Sequence, residues 1–560
     1  MTSFSVPAQT NTVFAEPELA DWPALVEANR GCCRDVRHRQ RHRAELLGQA
    51  AAFTAGVLGG VGASPQGQGA VVVAGHQPVW HHCGIWVKDA VCSALAGAVA
   101  GTGVHVVLDH DIRETVMTVP IRRANGTWRR RSLYVEAPDQ AVTLEQRRPP
   151  VASLARFVHQ VMGVDAGQFC NAIWEAQRVA DRATWGRFQN LAEAITYLQA
   201  MLHAALGQED LLYLPVSRLS ASAAFTEFVA SVLSDAVSFA AFYNEAIAAA
   251  SARAGADAVR RLAVHAGEGT VELPFWLVGD GKRTPLVVRR RRTGAFTVGT
   301  ACDDLGDVDA GSFDDRAAQL RALLRRRCRQ VRPKAVSLTL FLRLYLADWF
   351  VHGVGGAAYE PITDRLISRY YGVRPSRYGV VTCSATLPRC RSGGTDVGQA
   401  SRLRHRLHHV RHNPECGLTA SQLRAERTRR LVGGKRRAIT AASNKRLSHA
   451  ERHAAWESIA VVNRQLRQLA GGAIARLERA TGRAEGRTAA RAVCDSREYF
   501  FGLFPEKELR AMVGAIRAQV GGGADGVRGT PCGTGAAKND GASPREKVSP
   551  SIQNMRGHVE

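Results

Sequence analysis

The stretch AVVVAGHQPVWHHCGIWVKDA, residues 70–90, decides how this chain is read. An uninterrupted apolar run, Val71-Val72-Val73, is what a strand buried on both faces requires. It closes on Gly75, His76 and Gln77, and a helix is expected over about 84–100. A second apolar run then ends in another polar knot, VHVVLDHDIRE at 104–114. A strand–helix–strand order with a connection of this length suits a parallel crossover. Ligands of open α/β sheets bind outside the carboxyl ends of strands, and both polar clusters fall at such ends.

Outward from this stretch, residues 12–58 read as helical and the Gly/Pro/Ser-rich 59–69 as a connection. Helices are expected over 151–207 and 222–253, around a strand at 211–216. VELPFWLVG and TPLVVRRRR read as strands, and Gly279-Asp280-Gly281 between them as a hairpin turn. A basic helix follows at about 314–330, then helix, Gly-rich turn, helix and strand up to 387. Strands alternating with helices imply an α/β layered core. From 400 to 515 the pattern is helical, and Ala455, Ile459, Val462, Leu466, Leu469 and Ala473 make a heptad-like seam suited to a helical hairpin or a two-chain coiled coil. The expected division is an N-terminal helical segment (1–64), the α/β core (65–395), a helical, coiled-coil-like region (396–519) and a disordered tail (520–560), whose composition is poor in large apolar residues.

The formal charge is +24, from 74 Lys+Arg against 50 Asp+Glu. Arginine dominates the excess beside abundant Ala and Gly, so charge alone is a weak pointer to a partner. RLRHRLHHVRHN, RAERTRR and GGKRR, all between 402 and 437, could meet nucleic acid; a solvated helix face is the simpler account, and no aromatic platform interleaves with them. The 12 cysteines are scattered without a CxxC pair, which argues against a disulfide framework or a zinc knuckle. The N-terminus lacks a basic-then-apolar leader. Residues 90–108 carry no formal charge but are broken by Gly101-Thr102-Gly103, so no membrane span is expected. A soluble, cytoplasmic protein is the expectation.

The candidate site residues follow from the strand ends. Gly75 allows a sharp turn, Gln77 and His76 could orient a substrate, and Lys88, one turn into the helix, could neutralise an anion beside free helix N–H groups. Asp109, His110 and Asp111 close the neighbouring strand; carboxylates on both sides would raise the pKa of His110 and equip it as a general base. In HGVGGAAYEPITDRLISRYYGV, 352–373, Gly353, Gly355 and Gly356 let backbone approach a ligand at a helix start, and Glu360 and Asp364 share one helix face. No HExxH or HxH…D spacing is present, so no metal ligands are assigned. Any one of these residues is compatible with a structural role; their clustering is what points to a site.

Together, Gly75-His76-Gln77 with Lys88, Leu108-Asp109-His110-Asp111, and Val354-Gly355-Gly356-Ala357-Ala358-Tyr359-Glu360 resemble three motifs of the cysteine-adding enzymes of bacillithiol synthesis, the cysteine ligases. His76 stands where that family has Gln, and the knot lacks its leading Glu. The resemblance implies a nucleotide-binding α/β core with a dimerising coiled coil. It also implies a carbon–nitrogen ligase joining an amino acid carboxylate to the amine of an amino-sugar conjugate, with ATP as the activating cofactor. In that reading His110, Asp109, Asp111 and His76 are catalytic. Gly75, Gln77, Lys88, Gly353, Gly355, Gly356, Tyr359, Glu360 and Asp364 bind substrate or nucleotide. The competing expectations are a non-catalytic nucleotide- or sugar-binding relative and a His/Asp metal-dependent hydrolase.

Overall fold

The computed structural model describes residues 7, 9–33, 36, 38–58, 69–122, 128–136, 142–164, 185–251, 259–265, 267, 269–279, 281–387 and 398–522. Strand β1 (Thr12–Glu16) and the helices Trp22–Asn29 and Arg39–Leu58 precede β2 (Val71–His76), the helix Cys83–Ala98 and β3 (Thr102–Val107). A hairpin of β4 (Val116–Arg122) and β5 (Trp128–Tyr134) is followed by the helices Val151–Met162 and Leu191–Ala205 and by β6 (Leu212–Pro215). Three helices, Val216–Ala221, Ala223–Ser234 and Ala236–Ser251, lead into β7 (Val264–His265), β8 (Thr270–Gly279), β9 (Lys282–Arg290), β10 (Phe296–Gly299) and β11 (Asp304–Val308). After the helix Phe313–Arg326 come β12 (Gln330–Pro333), the helix Ala335–Tyr345, β13 (Trp349–His352), short helices at Val354–Ala357 and Glu360–Arg365, and β14 (Tyr378–Ser384).

The central sheet has the order β1-β14-β13-β2-β3-β6, parallel except for β1 at its edge. Its parallel strands are apolar throughout because both faces are covered. Val72, Ala74, Val351 and Val381 enter one core, while Val71, Val73, Val106 and Phe350 enter the other. The second, antiparallel sheet has the order β11-β10-β9-β8-β12 with β7 beside β8, and it carries the expected hairpin. The basic 33–43 stretch has a structural use: Arg43 makes a two-pronged pair with Asp348, and that carboxylate accepts the Val71 N–H at 2.9 Å. The N-terminal helices are thereby fastened to the start of β2.

Several expectations need correction. Residues 12–16 form an edge strand rather than helix, because TVFAE finds its partners in β14, far along the chain. The 222–253 helix is two helices that meet at a bend of 92°. β2 runs through Gly75 and His76, so Gly75 is not a turn residue. A Cβ there would stand 2.6 Å from the Val106 carbonyl oxygen, so glycine is required by the close approach of β3.

The helical region pairs Gln399–His412 with Gly471–Cys494 and Glu426–Ser443 with His449–Leu469. The seam residues Leu466, Val462 and Leu469 are covered by Leu418, Leu431 and Val432 of the same chain. Beyond it the chain returns to the central core: Tyr499, Phe500 and Phe501, then Leu509, Met512 and Ile516 of the helix Glu506–Gly521, lie among its buried residues. The expected 396–519 unit therefore comprises a helical projection and a returning segment. Arg404 and Arg411 are exposed and paired with Glu485 and Glu478, as a solvated basic face would be, whereas Lys435 is buried against Glu415. Residues 523–560, with most of the expected tail, lie outside the described residues, as does 165–184 within the expected 151–207 helices. Among the described residues no single helix is long and apolar enough to cross a membrane.

Candidate functional site

From β2 the chain moves outward to β3 on one side, while β13, on the other side of β2, continues to β14. Loops leaving β2 and β13 therefore diverge and open a crevice at the carboxyl end of the sheet. A cavity of about 580 Å³ occupies it, within the roughly 300–1,000 Å³ typical of small-molecule pockets. The structure brings Gly75, His76, Gln77 and Lys88 to one wall and Gly353, Gly355, Gly356 and Tyr359 to the other. Two stretches separated by over 250 residues in sequence thus share one cavity. Another cleft, lined by Phe53, Arg187 and Phe188, gathers fewer titratable groups.

The wall from β2 is held by short-range bonds. His76 Nδ1 lies 3.2 Å from the Gln77 carbonyl, and burial, reinforced by the Lys88 charge, pushes this imidazole down to about 3, so it is neutral at physiological pH. Lys88 Nζ donates to the Gly75 carbonyl at 2.5 Å; burial lowers its pKa while Asp89 opposes. His82 caps the helix by accepting the Gly84 N–H at 3.1 Å. A Cβ on Gly84 would stand 2.5 Å from an Arg497 guanidinium nitrogen, so glycine leaves room for that cation at the cavity edge. Cys83 is buried and its thiol is pushed well up by desolvation, which removes the thiolate that a helix start would otherwise favour.

The opposite wall has a different logic from the one expected. The helix after the glycine turn spans only Val354–Ala357, too short to present a useful dipole. Its chemistry comes from His352, the last residue of β13. The ring stacks on Phe350 at 4.3 Å, and a Cβ on Gly356 would meet its Nδ1 at 3.0 Å. Glu360 and Asp364 do share a face, but they grip Arg343 rather than the cavity. Arg343 Nη1 donates to Glu360 Oε2 at 2.5 Å, and its Nη2 donates to Asp364 Oδ1 at 2.6 Å. Glu360 Oε1 then lies 3.2 Å from His352 Nε2. Burial would raise the Glu360 carboxyl, but His352 and Arg343 hold it down at about 2. Burial together with Glu360 raises the Tyr359 phenol well above its usual value, so it faces the cavity as a hydroxyl.

The knot after β3 does not join the cavity as a unit. Asp109 is buried against Ser217, whose N–H donates to it at 3.0 Å; burial and nearby Glu145 push its carboxyl up to about 7. The His110 ring is buried away from the cavity lining, and desolvation and Arg332 take it down to about 3, the reverse of the expected rise. Asp111 opposes that loss but is outweighed, and Asp109 is turned toward Ser217. Asp111 does not line the cavity either but is linked to it through Gln77, accepting Gln77 Nε2 at 3.1 Å while Arg283 donates to its other oxygen at 3.0 Å.

Sequence reasoning missed the cavity residues His352, Thr382, Arg113 and Arg497. Arg497 Nη2 donates to Thr382 Oγ1 at 3.3 Å, and its buried Nε–H makes no hydrogen bond, the Glu498 carboxylate standing 3.9 Å away. His352 could have been found as another polar residue ending an apolar strand. Arg497 carried no local signal. Comparison with known protein families and with curated proteins finds no match.

Proposed function

We propose that the cavity binds an anionic small molecule and that the protein is a carbon–nitrogen ligase, joining an amino acid carboxylate to the amine of an amino-sugar-like partner. The observation that carries this reading is the convergence, at the divergence of β2 and β13, of Lys88 and Arg497 with a carboxylate-backed His352. Cationic donors of this kind suit a carboxylate or phosphate. In this reading Lys88 and Arg497 hold the anionic oxygens and Gln77, steadied by Asp111, orients the acyl group. His352 takes the proton from the attacking amine, and Glu360 stabilises the resulting imidazolium. His352 thus replaces His110 as the base. ATP would suit the donor set of Lys88, Arg113 and Arg497 and would activate the carboxylate, so that a phosphate or nucleoside monophosphate carries away the carboxylate oxygen as the C–N bond forms. A homodimer would use a helical face other than the covered seam, such as that carrying exposed Trp456.

The test is thermal-shift titration with ATP, ADP, cysteine and amino sugars, followed by product analysis. Stabilisation by an anionic ligand should vanish in Lys88→Met and Arg497→Gln, and His352→Gln should bind without turnover. Equal stabilisation of all these variants would remove the cavity from the account. The displacement of Asp109 and His110 from the cavity favours a second reading, a binding protein without catalysis; it predicts the same stabilisation and no product.

A further inference from the structure

Behind the cavity wall lies a second polar cluster that the proposed reaction does not use. His81 precedes the helix Cys83–Ala98, Asp89 lies within it, and His203 lies near the end of Leu191–Ala205. All three are buried, and each keeps one atom without a hydrogen-bond partner: His81 Nε2, Asp89 Oδ2 and His203 Nε2. Native interiors leave only a few such atoms per hundred residues, and here three of those in this chain meet in one place. One ligand atom from each residue lies within 4.8 Å of the others, and His203 Nε2 is 3.8 Å from Asp89 Oδ2. Bonds of 2.0–2.2 Å in tetrahedral geometry place ligand atoms about 3.4 Å apart, so the His203–Asp89 pair is close to that spacing and the widest separation would close by up to about 1.4 Å on binding.

We infer that His81, Asp89 and His203 form a buried binding site for one divalent transition-metal ion of the zinc class. The surrounding residues have the form of a metal site's outer shell, in which each ligand is oriented by a further hydrogen bond. His105 Nδ1 lies 2.6 Å from Asp89 Oδ1, and the Tyr213 hydroxyl lies 2.9 Å from His203 Nδ1. Gln199 Nε2 is 3.3 Å from His81 Nδ1 and donates to the Val79 carbonyl at 2.6 Å. Ligation through His81 Nε2 needs the ring proton on Nδ1, so uptake of the ion turns the Gln199 amide to present its oxygen, at the expense of the Val79 bond. Phe501 stacks on both rings at 5.5 Å and closes one side.

A similar group, His38, His42 and Glu227, is a weaker candidate because Arg41 already donates to Glu227 at 2.6 Å. The His81 site would pin two helices together behind the cavity: His76, on the cavity wall, packs edge-on against His81 at 5.5 Å. The inference is independent of the ligase reading, since it concerns retention of metal and not turnover.

The test uses the full chain, stripped with a chelator, loaded with Zn²⁺, desalted and analysed for bound metal, with Co²⁺ as a spectroscopic probe. One ion per chain is expected, with visible ligand-field bands for Co²⁺. Asp89→Asn and His203→Gln should lose the ion, while His42→Gln should keep it. A folded parent chain that retains no Zn²⁺ and shows no Co²⁺ bands overturns the inference. So does a stoichiometry that survives both ligand substitutions, or one that falls only in His42→Gln. Should the ligand variants not fold, the parent chain's Co²⁺ spectrum decides alone.

Discussion

Replacing Glu360 by Gln removes one charge from a fully buried ion pair while nearly preserving its shape. Glu360 is 0% exposed, donor Arg343 Nη1 lies 2.5 Å away, and its carboxyl sits at about 2 against an ordinary 4.5. At about 1.4 kcal/mol for each tenfold change in proton affinity, that difference amounts to about 3 kcal/mol at pH 7. The independent expectation for breaking one side of a buried pair is about 3–5 kcal/mol, so the two figures agree. The folded carboxyl is the stronger acid, so this stability is present above about pH 4.5 and is lost as pH falls through about 2. Urea unfolding of parent and Glu360→Gln, followed by tryptophan fluorescence at pH 7, 5 and 3.5, should show a gap of about 3 kcal/mol that narrows in acid. A cost below about 1 kcal/mol at pH 7, or a gap that ignores pH, would refute the buried pair as drawn.

Other consequences are equally specific. Gly379→Ala would place a Cβ 2.3 Å from the Trp22 ring, and overpacking of this severity should cost about 3 kcal/mol and lower the melting temperature. Asp109 has its carboxyl pushed up to about 7, so its contribution is full below pH 3.8 and is lost as pH rises through 7. Asp109→Asn should therefore gain stability relative to the parent between pH 6 and 8 in melting experiments. His110→Ala should lower stability by leaving a cavity but keep ligand affinity measured by calorimetry, since the ring does not line the site.

The sequence carried the α/β layering because fully buried parallel strands leave a plain mark, and Val71-Val72-Val73 bears it. It also carried the two loops of the cavity, since polar groups gathered after an apolar run have few structural uses. It could not carry side-chain direction. Asp109, His110 and Asp111 are adjacent, yet the turn aims them at Ser217, a buried pocket near Arg332, and Gln77 with Arg283. Sequence adjacency to two carboxylates therefore said little about the His110 charge. Nor could local pattern show that TVFAE pairs with β14, or that YFFGLF at 499–504 returns to the core, because both gain their stability from partners distant in sequence. The density of aromatic residues in YFFGLF was the available cue that this segment is not a solvated helix. The cluster of His81, Asp89 and His203 has no spacing motif at all, since its third member comes from another helix.

The claim on which the rest depends is that the crevice between β2 and β13 is where this protein meets its ligand. A crystal structure of the chain with the anionic ligand that stabilises it most tests this directly. The account predicts electron density for the ligand between Gln77, Lys88, His352 and Arg497, with its anionic group on Lys88 or Arg497. Full occupancy at any other cleft, with this crevice holding only water, would contradict it.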